Sequence, residues 1–276
     1  GVVRKPSFTL KEGMGVSAPT ECRAEKPGLE GSDLPLTIIY EDLHIVVIDK
    51  PAGLVVHPGA GTTGPTLVNA LIYRYPEIAG VGEPGRPGIV HRLDKLTSGV
   101  MVVARSAEAF RKLSGAFRAH EQERVYLAVC YGRMAGDSGR IETLMARSPR
   151  DRKKMSSKVT EGRQAVTFWR VRREWDCFSM LELSLETGRT HQIRVHLADA
   201  GHPVAGDPEY GGRRRVGTIA DAVVRSRVRS LGRQMLHART LGIAHPASGE
   251  RMEFCSEPPE DFRGLIALLD ERQAKG

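Results

Sequence analysis

Pro87-Gly-Ile-Val-His-Arg-Leu-Asp-Lys-Leu-Thr-Ser-Gly-Val-Met-Val-Val-Ala-Arg105 sets a cluster of polar side chains between two apolar runs. Gly88-Ile89-Val90 reads as a short buried strand and Gly99 to Ala104 as a second, so His91 to Ser98 becomes a polar connection held at both ends. Connections fixed in this way often carry function. One carboxylate stands there, Asp94, with Arg92 two residues before it and the hydroxyls of Thr97 and Ser98 able to fold back onto backbone amides. Read as residues alone, the run also suits a plain turn in which Asp94 caps its neighbours.

Outward from this stretch the chain is mostly strand. Leu36 to Tyr40 and His44 to Asp49 are β-rich runs, Lys50 to Gly59 continues as strand and loop, and Pro65 to Tyr75 has helical spacing with Leu67 and Leu71 inward. Gly80 to Gly88 is a flexible approach rich in Gly and Pro. After the central stretch, Ala107 to His120 reads as an amphipathic helix burying Phe110, Leu113 and Phe117. Arg124 to Gly132 is a strand whose alternation puts Tyr126 on the face opposite Val125 and Leu127. Arg147 to Glu161 lacks periodicity and reads as a mobile loop, followed by a hairpin of Gln164 to Arg173 and Cys177 to Glu186.

That hairpin leads into Glu186-Thr-Gly-Arg-Thr-His-Gln-Ile-Arg-Val-His196, the second informative stretch. Thr190 suits an N-cap, Gly201 a stop, and Ile193 with Leu197 an apolar i, i+4 pair. Beyond it come a turn-rich loop from Pro203 to Gly212, an Arg-studded helix from Thr218 to Leu231, strands at 236–246 and 252–255, and a helix from Pro259 to Ala274. Many strands and few helices, without a regular βαβ array, indicate an α+β fold.

At 276 residues the chain can bury a large core, and 40% hydrophobic with 27% charged residues is a globular composition. The net charge of +8 is unevenly placed. Arg147 to Arg173 holds ten Lys/Arg against two acids, and Gly211 to Arg239 eight Arg against one, so the remainder of the chain carries about −7. Two concentrated basic segments read as a polyanion footprint, with nucleic acid the expected partner. No run of about 18 apolar residues is present, and the opening residues have no signal-peptide core, so neither a membrane partner nor export is expected. Four scattered cysteines, Cys22, Cys130, Cys177 and Cys255, form no ligand or disulfide pattern and fit a reducing cytoplasm. His191 and His196 are five apart, off the i, i+4 spacing of zinc helices, so no metal is expected with them or with His202.

His91-Arg92-Leu93-Asp94-x-x-Thr97-Ser98-Gly99 resembles the active-site motif of the RluA-type pseudouridine synthases, which isomerise uridine in RNA, and the resemblance spans nearly the whole chain. It implies the pseudouridine synthase fold: a central mixed, mainly antiparallel sheet with flanking helices and an RNA-binding cleft. It also implies a catalytic Asp94, an active-site Tyr126, an Arg189 that pairs with the aspartate, and an Arg92 that takes the place of the extruded nucleotide. The RNA-contacting set expected around these is His91, Arg92, Thr97, Arg147, Arg152, Lys153, Lys154, His191, Arg213 and Arg214. Residues 1–19 resemble the last strands of a small S-four-like RNA-binding domain, 20–34 a linker, and 35–276 the catalytic domain.

The reaction breaks the bond from base nitrogen to sugar, turns the captive uracil and rejoins it through carbon 5. Neither a redox change nor a group donor is required, so no cofactor is expected. An aspartate, with an ordinary pKa of ~3.9, is ionised at neutral pH, and a guanidinium beside it would hold it so. It would serve as a nucleophile toward ring or sugar, or as a base toward ribose carbon 2; the residues leave both routes open. The expected substrate is large-subunit ribosomal RNA, with transfer RNA the other candidate, and the expected state a monomer. The alternative is a non-catalytic RNA-binding or ribosome-assembly factor, which would share the basic segments but has no use for the Asp94, Tyr126 and Arg189 set. A kinase reading of His91-Arg-Leu-Asp fails for want of a phosphate-cradling glycine loop and an Asp-Phe-Gly.

Overall fold

The computed structural model describes residues 29–59, 61–152 and 154–275. The strands expected at 1–19, the first part of the linker and Lys153 lie outside the described residues.

Two strands with nearly every side chain sequestered form the centre. In β2 (Ile45–Lys50) the run Ile45 to Ile48 is fully buried, and β5 (Ser98–Ala104) is buried throughout. Each is a continuous apolar run because a helix covers each face. Val100 and Val102 pack with Ala109 and Leu113 of α2 (Ala107–Ala119), while Met101 and Val103 pack with Leu67 and Leu71 of α1 (Leu67–Arg74). A third apolar cluster lies under β6 (Glu123–Tyr131) and β10 (Phe178–Leu185), filled from α3 (Gln192–Asp199), α4 (Ala222–Arg229) and α5 (Glu260–Ala274).

The main sheet runs β1-β2-β5-β11-β6-β10-β9-β7-β8, with β12 (Arg251–Cys255) also on β11. Its remaining strands are β1 (Thr37–Glu41), β7 (Ser138–Arg147), β8 (Met155–Ser156), β9 (Arg163–Glu174) and β11 (Leu236–Ala244). Every pairing is antiparallel except β5 with β11, where Ser98 and Gly99 lie beside His237 and Ala238. The sheet is therefore mixed and mainly antiparallel, as expected. Gly99 has φ 118°, and a Cβ there would strike the Ala238 carbonyl, so only glycine permits this approach.

Several expectations are corrected. Residues 88–90 form no strand: Gly88 has φ 71°, and only Ile89 bridges to Val103. β7 was not foreseen: exposed and sheltered side chains alternate along it, but Gly139 and Thr143 on the sheltered side and the exposed Leu144 on the other hide that period in the sequence. The segment 147–161 is not a free loop; β8 returns along β7, and the Met155 amide donates to the Tyr210 hydroxyl at 2.9 Å. α3 begins after His191, not Thr190, and α4 spans only Ala222–Arg229, capped by Asp221. Of the expected linker, residues 29–34 are fastened to α1: the Ser32 amide donates to the Asn69 carbonyl and the Asn69 side chain to the Glu30 carbonyl. A small hairpin of β3 (Gly82–Glu83) and β4 (Arg86–Pro87) occupies the glycine-rich approach.

Candidate active site

The loop before β5 is pinned from several sides. Lys50, fully buried at the end of β2, donates from Nζ to the carbonyls of Pro51, Leu54 and Lys95, and the Gly53 amide also donates to Lys95. Burial drives the Lys50 ammonium down to about 7, with the Asp94 carboxylate working against that drop. The Thr97 amide donates to the Asp94 carbonyl, the Thr97 hydroxyl accepts from Gln234, and the Ser98 hydroxyl meets His237 Nδ1 at 3.0 Å. His91 accepts the Val102 amide on Nε2 at 3.0 Å and stacks on Phe117. Burial, together with the Arg124 charge, pushes that imidazole down to about 3, so it remains a neutral acceptor. The Thr97 hydroxyl and His91 Nε2 are thus engaged inside the protein, although both residues line the cavity described below.

Asp94 emerges from this loop with its side chain 17% exposed. Its guanidinium partner is Arg194, whose Nη1 lies 3.1 Å from Asp94 Oδ2. Arg194, 4% exposed, is gripped by two further carboxylates: it meets Asp207 through Nε at 2.7 Å and Nη2 at 3.0 Å, and Glu209 at 2.7 Å. Asp207 is fully buried and also accepts the amides of Glu209 and Tyr210. Burial opposes the charge on Arg194, but these acids outweigh it and raise its pKa above the usual arginine value. The guanidinium carbon also lies 4.9 Å from the Tyr210 ring centroid. His191, in a left-handed conformation at φ 58°, meets the Tyr210 hydroxyl at 2.7 Å and approaches Asp94 Oδ1 at 3.7 Å. Burial lowers its pKa, partly offset by Asp94.

Arg189 does not make the expected ion pair. It precedes α3, and its Nε donates to the Gln164 carbonyl at 3.0 Å. Gln192 locks that turn by accepting from the Arg189 amide and the Thr187 hydroxyl while donating to Val166 and Thr167. Inside the helix, Arg194 projects back to Asp94.

Asp94, Tyr126, Arg189, Arg92, His91, Thr97 and His191 nevertheless line one cavity of about 480 Å³, a volume within the usual range of small-molecule sites. Tyr126 is 8% exposed, and burial raises its phenol, which stays protonated. Phe117, Arg118 and Arg124 line it as well. Arg147, Arg152, Lys154, Arg213 and Arg214 lie outside this cavity. Arg147 donates to the Arg152 carbonyl, Lys154 is 3.7 Å from Asp151, and the Arg213 and Arg214 side chains are exposed. His196 meets Thr143 and Thr167, and His202 the Tyr131 carbonyl. Among the described residues no three His, Cys, Asp or Glu side chains group as metal ligands, and no helix is long and apolar enough to cross a membrane.

Sequence reasoning overlooked Arg194, Asp207, Glu209 and Lys50. Only Lys50 left a visible signal, a charge closing the apolar run Ile45-Val-Val-Ile.

Residues 44–199 match the family described as RNA pseudouridylate synthase. The chain is 44% identical over 275 residues to ribosomal large subunit pseudouridine synthase D of Xanthomonas campestris, covering 100% of this chain and 81% of that protein. It is 42% identical over 268 residues to the Escherichia coli K12 protein of the same name, covering 97% and 80%. Among solved structures, human RNA Pseudouridylate Synthase Domain Containing 1 superimposes with a TM-score of 0.65 at 25% identity, covering 89% of this chain and 97% of that one.

Proposed function

The chain belongs to the RNA pseudouridylate synthase family, and from that premise we propose that Asp94 is its essential carboxylate and large-subunit ribosomal RNA its substrate. The family reaction isomerises uridine to pseudouridine. The observation that carries the assignment of Asp94 is its carboxylate, held by a buried arginine at the floor of a cavity that Tyr126 also lines. A guanidinium fixed by Asp207 and Glu209 orients the carboxylate without being drawn off by phosphates.

Both chemical routes begin from this geometry. Asp94 either bonds to the ring or sugar or takes the proton from ribose carbon 2, the bond to N1 breaks, and the uracil turns. Carbon 5 then joins the sugar as the Asp94 bond breaks or ribose carbon 2 regains its proton, and carbon 5 gives up its own. Tyr126, protonated within the cavity, suits stacking on the captive base and donating a hydrogen bond better than service as a phenolate base. Extruding a nucleotide costs a few kcal/mol. Arg92, exposed at the cavity edge two residues from Asp94, would fill the gap and offset that cost. The exposed Arg213 and Arg214 and the cations around 147–154 would track phosphates further out. The ribosomal assignment rests on the names of the relatives.

The test supplies this chain and Asp94→Asn with ribosomal RNA from cells lacking their own synthases of this kind. Carbodiimide primer extension then maps pseudouridine, with RNA binding by both proteins verified. Stops from the parent alone are expected in the large-subunit RNA. Stops from both proteins would refute Asp94, and binding without stops from either would refute ribosomal RNA as substrate.

A further inference from the structure

Arg124 stands two residues before Tyr126 on β6, so the two side chains leave the same face of the sheet and enter the same cavity. Its surroundings are the reverse of those of Arg194. Nη2 donates to the Leu185 carbonyl at 3.3 Å, Nε is buried without a hydrogen-bond partner, and no carboxylate among the described residues pairs with it. Gly188 faces the guanidinium so closely that a Cβ there would lie 2.5 Å from Nη1 and oblige the arginine to move. Burial disfavours its charge, yet an arginine stays protonated in proteins. A half-buried charge without a counter-ion is costly, and the site is relieved when an anion enters.

The reacting nucleotide offers one kind of anionic group. Uracil carbonyls are neutral, whereas the phosphodiester carries a full charge and suits a guanidinium fork. We propose that Arg124 binds a phosphodiester flanking the flipped uridine, fixing its sugar over Asp94 while Tyr126 covers the base. This rests on the reading that the Asp94 cavity receives that uridine. Arg124 is then a positioning residue that reads backbone, leaving the choice of base to other groups.

The test uses a stem-loop of large-subunit ribosomal RNA carrying the uridine mapped above. It is made with ordinary phosphates or with a neutral methylphosphonate on the 5′ or the 3′ side of that uridine. Affinity is measured for Arg124→Gln and Arg124→Lys and their parent, all on the Asp94→Asn background, so that turnover plays no part. One of the two methylphosphonates should weaken the parent roughly 10- to 100-fold, the range of a charge-assisted hydrogen bond. The same substitution should leave Arg124→Gln unchanged, and Arg124→Lys should keep part of the sensitivity. Equal losses in parent and Arg124→Gln at both positions, or no loss in the parent, would overturn the proposal. The parent measurement needs no folded variant. Failure of the Asp94 reading would appear instead as residual turnover by Asp94→Asn.

Discussion

The wall of the cavity is of two kinds: Arg194 meets three carboxylates, whereas Arg92, Arg118, Arg124 and Arg189 meet none among the described residues. The first part is finished before any ligand arrives. Its arginine is neutralised and held, so its effect is to set the position of Asp94. The second part is left electrostatically incomplete, and its charges are free to displace counterions from a polynucleotide. Placing the orienting arginine among acids and the binding arginines apart from them keeps one from doing the work of the other.

The sharpest way to break this contrast is Arg194→Gln. It strands the fully buried Asp207 beside Glu209 and Asp94, and should destabilise the protein by about 3–5 kcal/mol in urea titration, with loss of activity. Unchanged stability would mean that the first part of the wall is not held by charge. Asp94→Asn removes the acid at the open end of the cluster; it should lower the isomerisation rate by about 10³-fold or more while leaving the urea midpoint nearly in place.

A third test concerns His91, which backs the basic wall. Its pKa is about 3 in the folded protein and near 6.5 when exposed, so the unfolded chain takes up the proton first as pH falls. Stability therefore drops from about pH 6.5 downward, by up to about 1.4 kcal/mol per unit from this group, and the His91→Gln profile should be flatter in that window. The smallest effect is expected of Arg189→Gln. RNA affinity should fall a few-fold and the salt slope by about 0.7–0.9, with stability within about 0.5 kcal/mol of the parent. A slope that does not move would place Arg189 outside the binding wall.

Much of this was legible in the chain. β5 showed as an uninterrupted apolar run, α2 as a stripe of Phe110, Leu113 and Phe117, and β9 with β10 as a hairpin turning near Trp175. Asp94, Arg92 and Tyr126 came from the family resemblance that the His91-to-Gly99 motif carries, strand alternation giving only the face of Tyr126, and all three line one cavity. What stayed hidden depends on long-range geometry. Arg189 and Arg194 share one motif, and spacing alone cannot say which of them meets an aspartate some 100 residues away. The answer lies in Gln192, which ties down the turn and aims Arg189 at β9. Asp207 and Glu209 look like ordinary loop acids until the loop folds over α3. β7 escaped notice because its sheltered side carries Gly139 and Thr143 and its exposed side Leu144, so the alternation of burial is not written as apolar against polar.

The parallel contact of Ser98 and Gly99 with His237 and Ala238 has a consequence for when the enzyme comes into being. Asp94 leaves a ribosome early, but His237, which anchors its loop through Ser98, follows 139 residues after that serine. At ordinary rates of synthesis that interval is roughly 7–30 s. Until β11 emerges, β5 lacks one of its two neighbours and the Ser98 hydroxyl its imidazole. Loop closure over so long a span is slow and is rewarded only at the end. A nascent or truncated chain ending before Leu236 would carry Asp94, Tyr126 and Arg194 and still present them in no fixed register, so activity is coupled to arrival of this late strand.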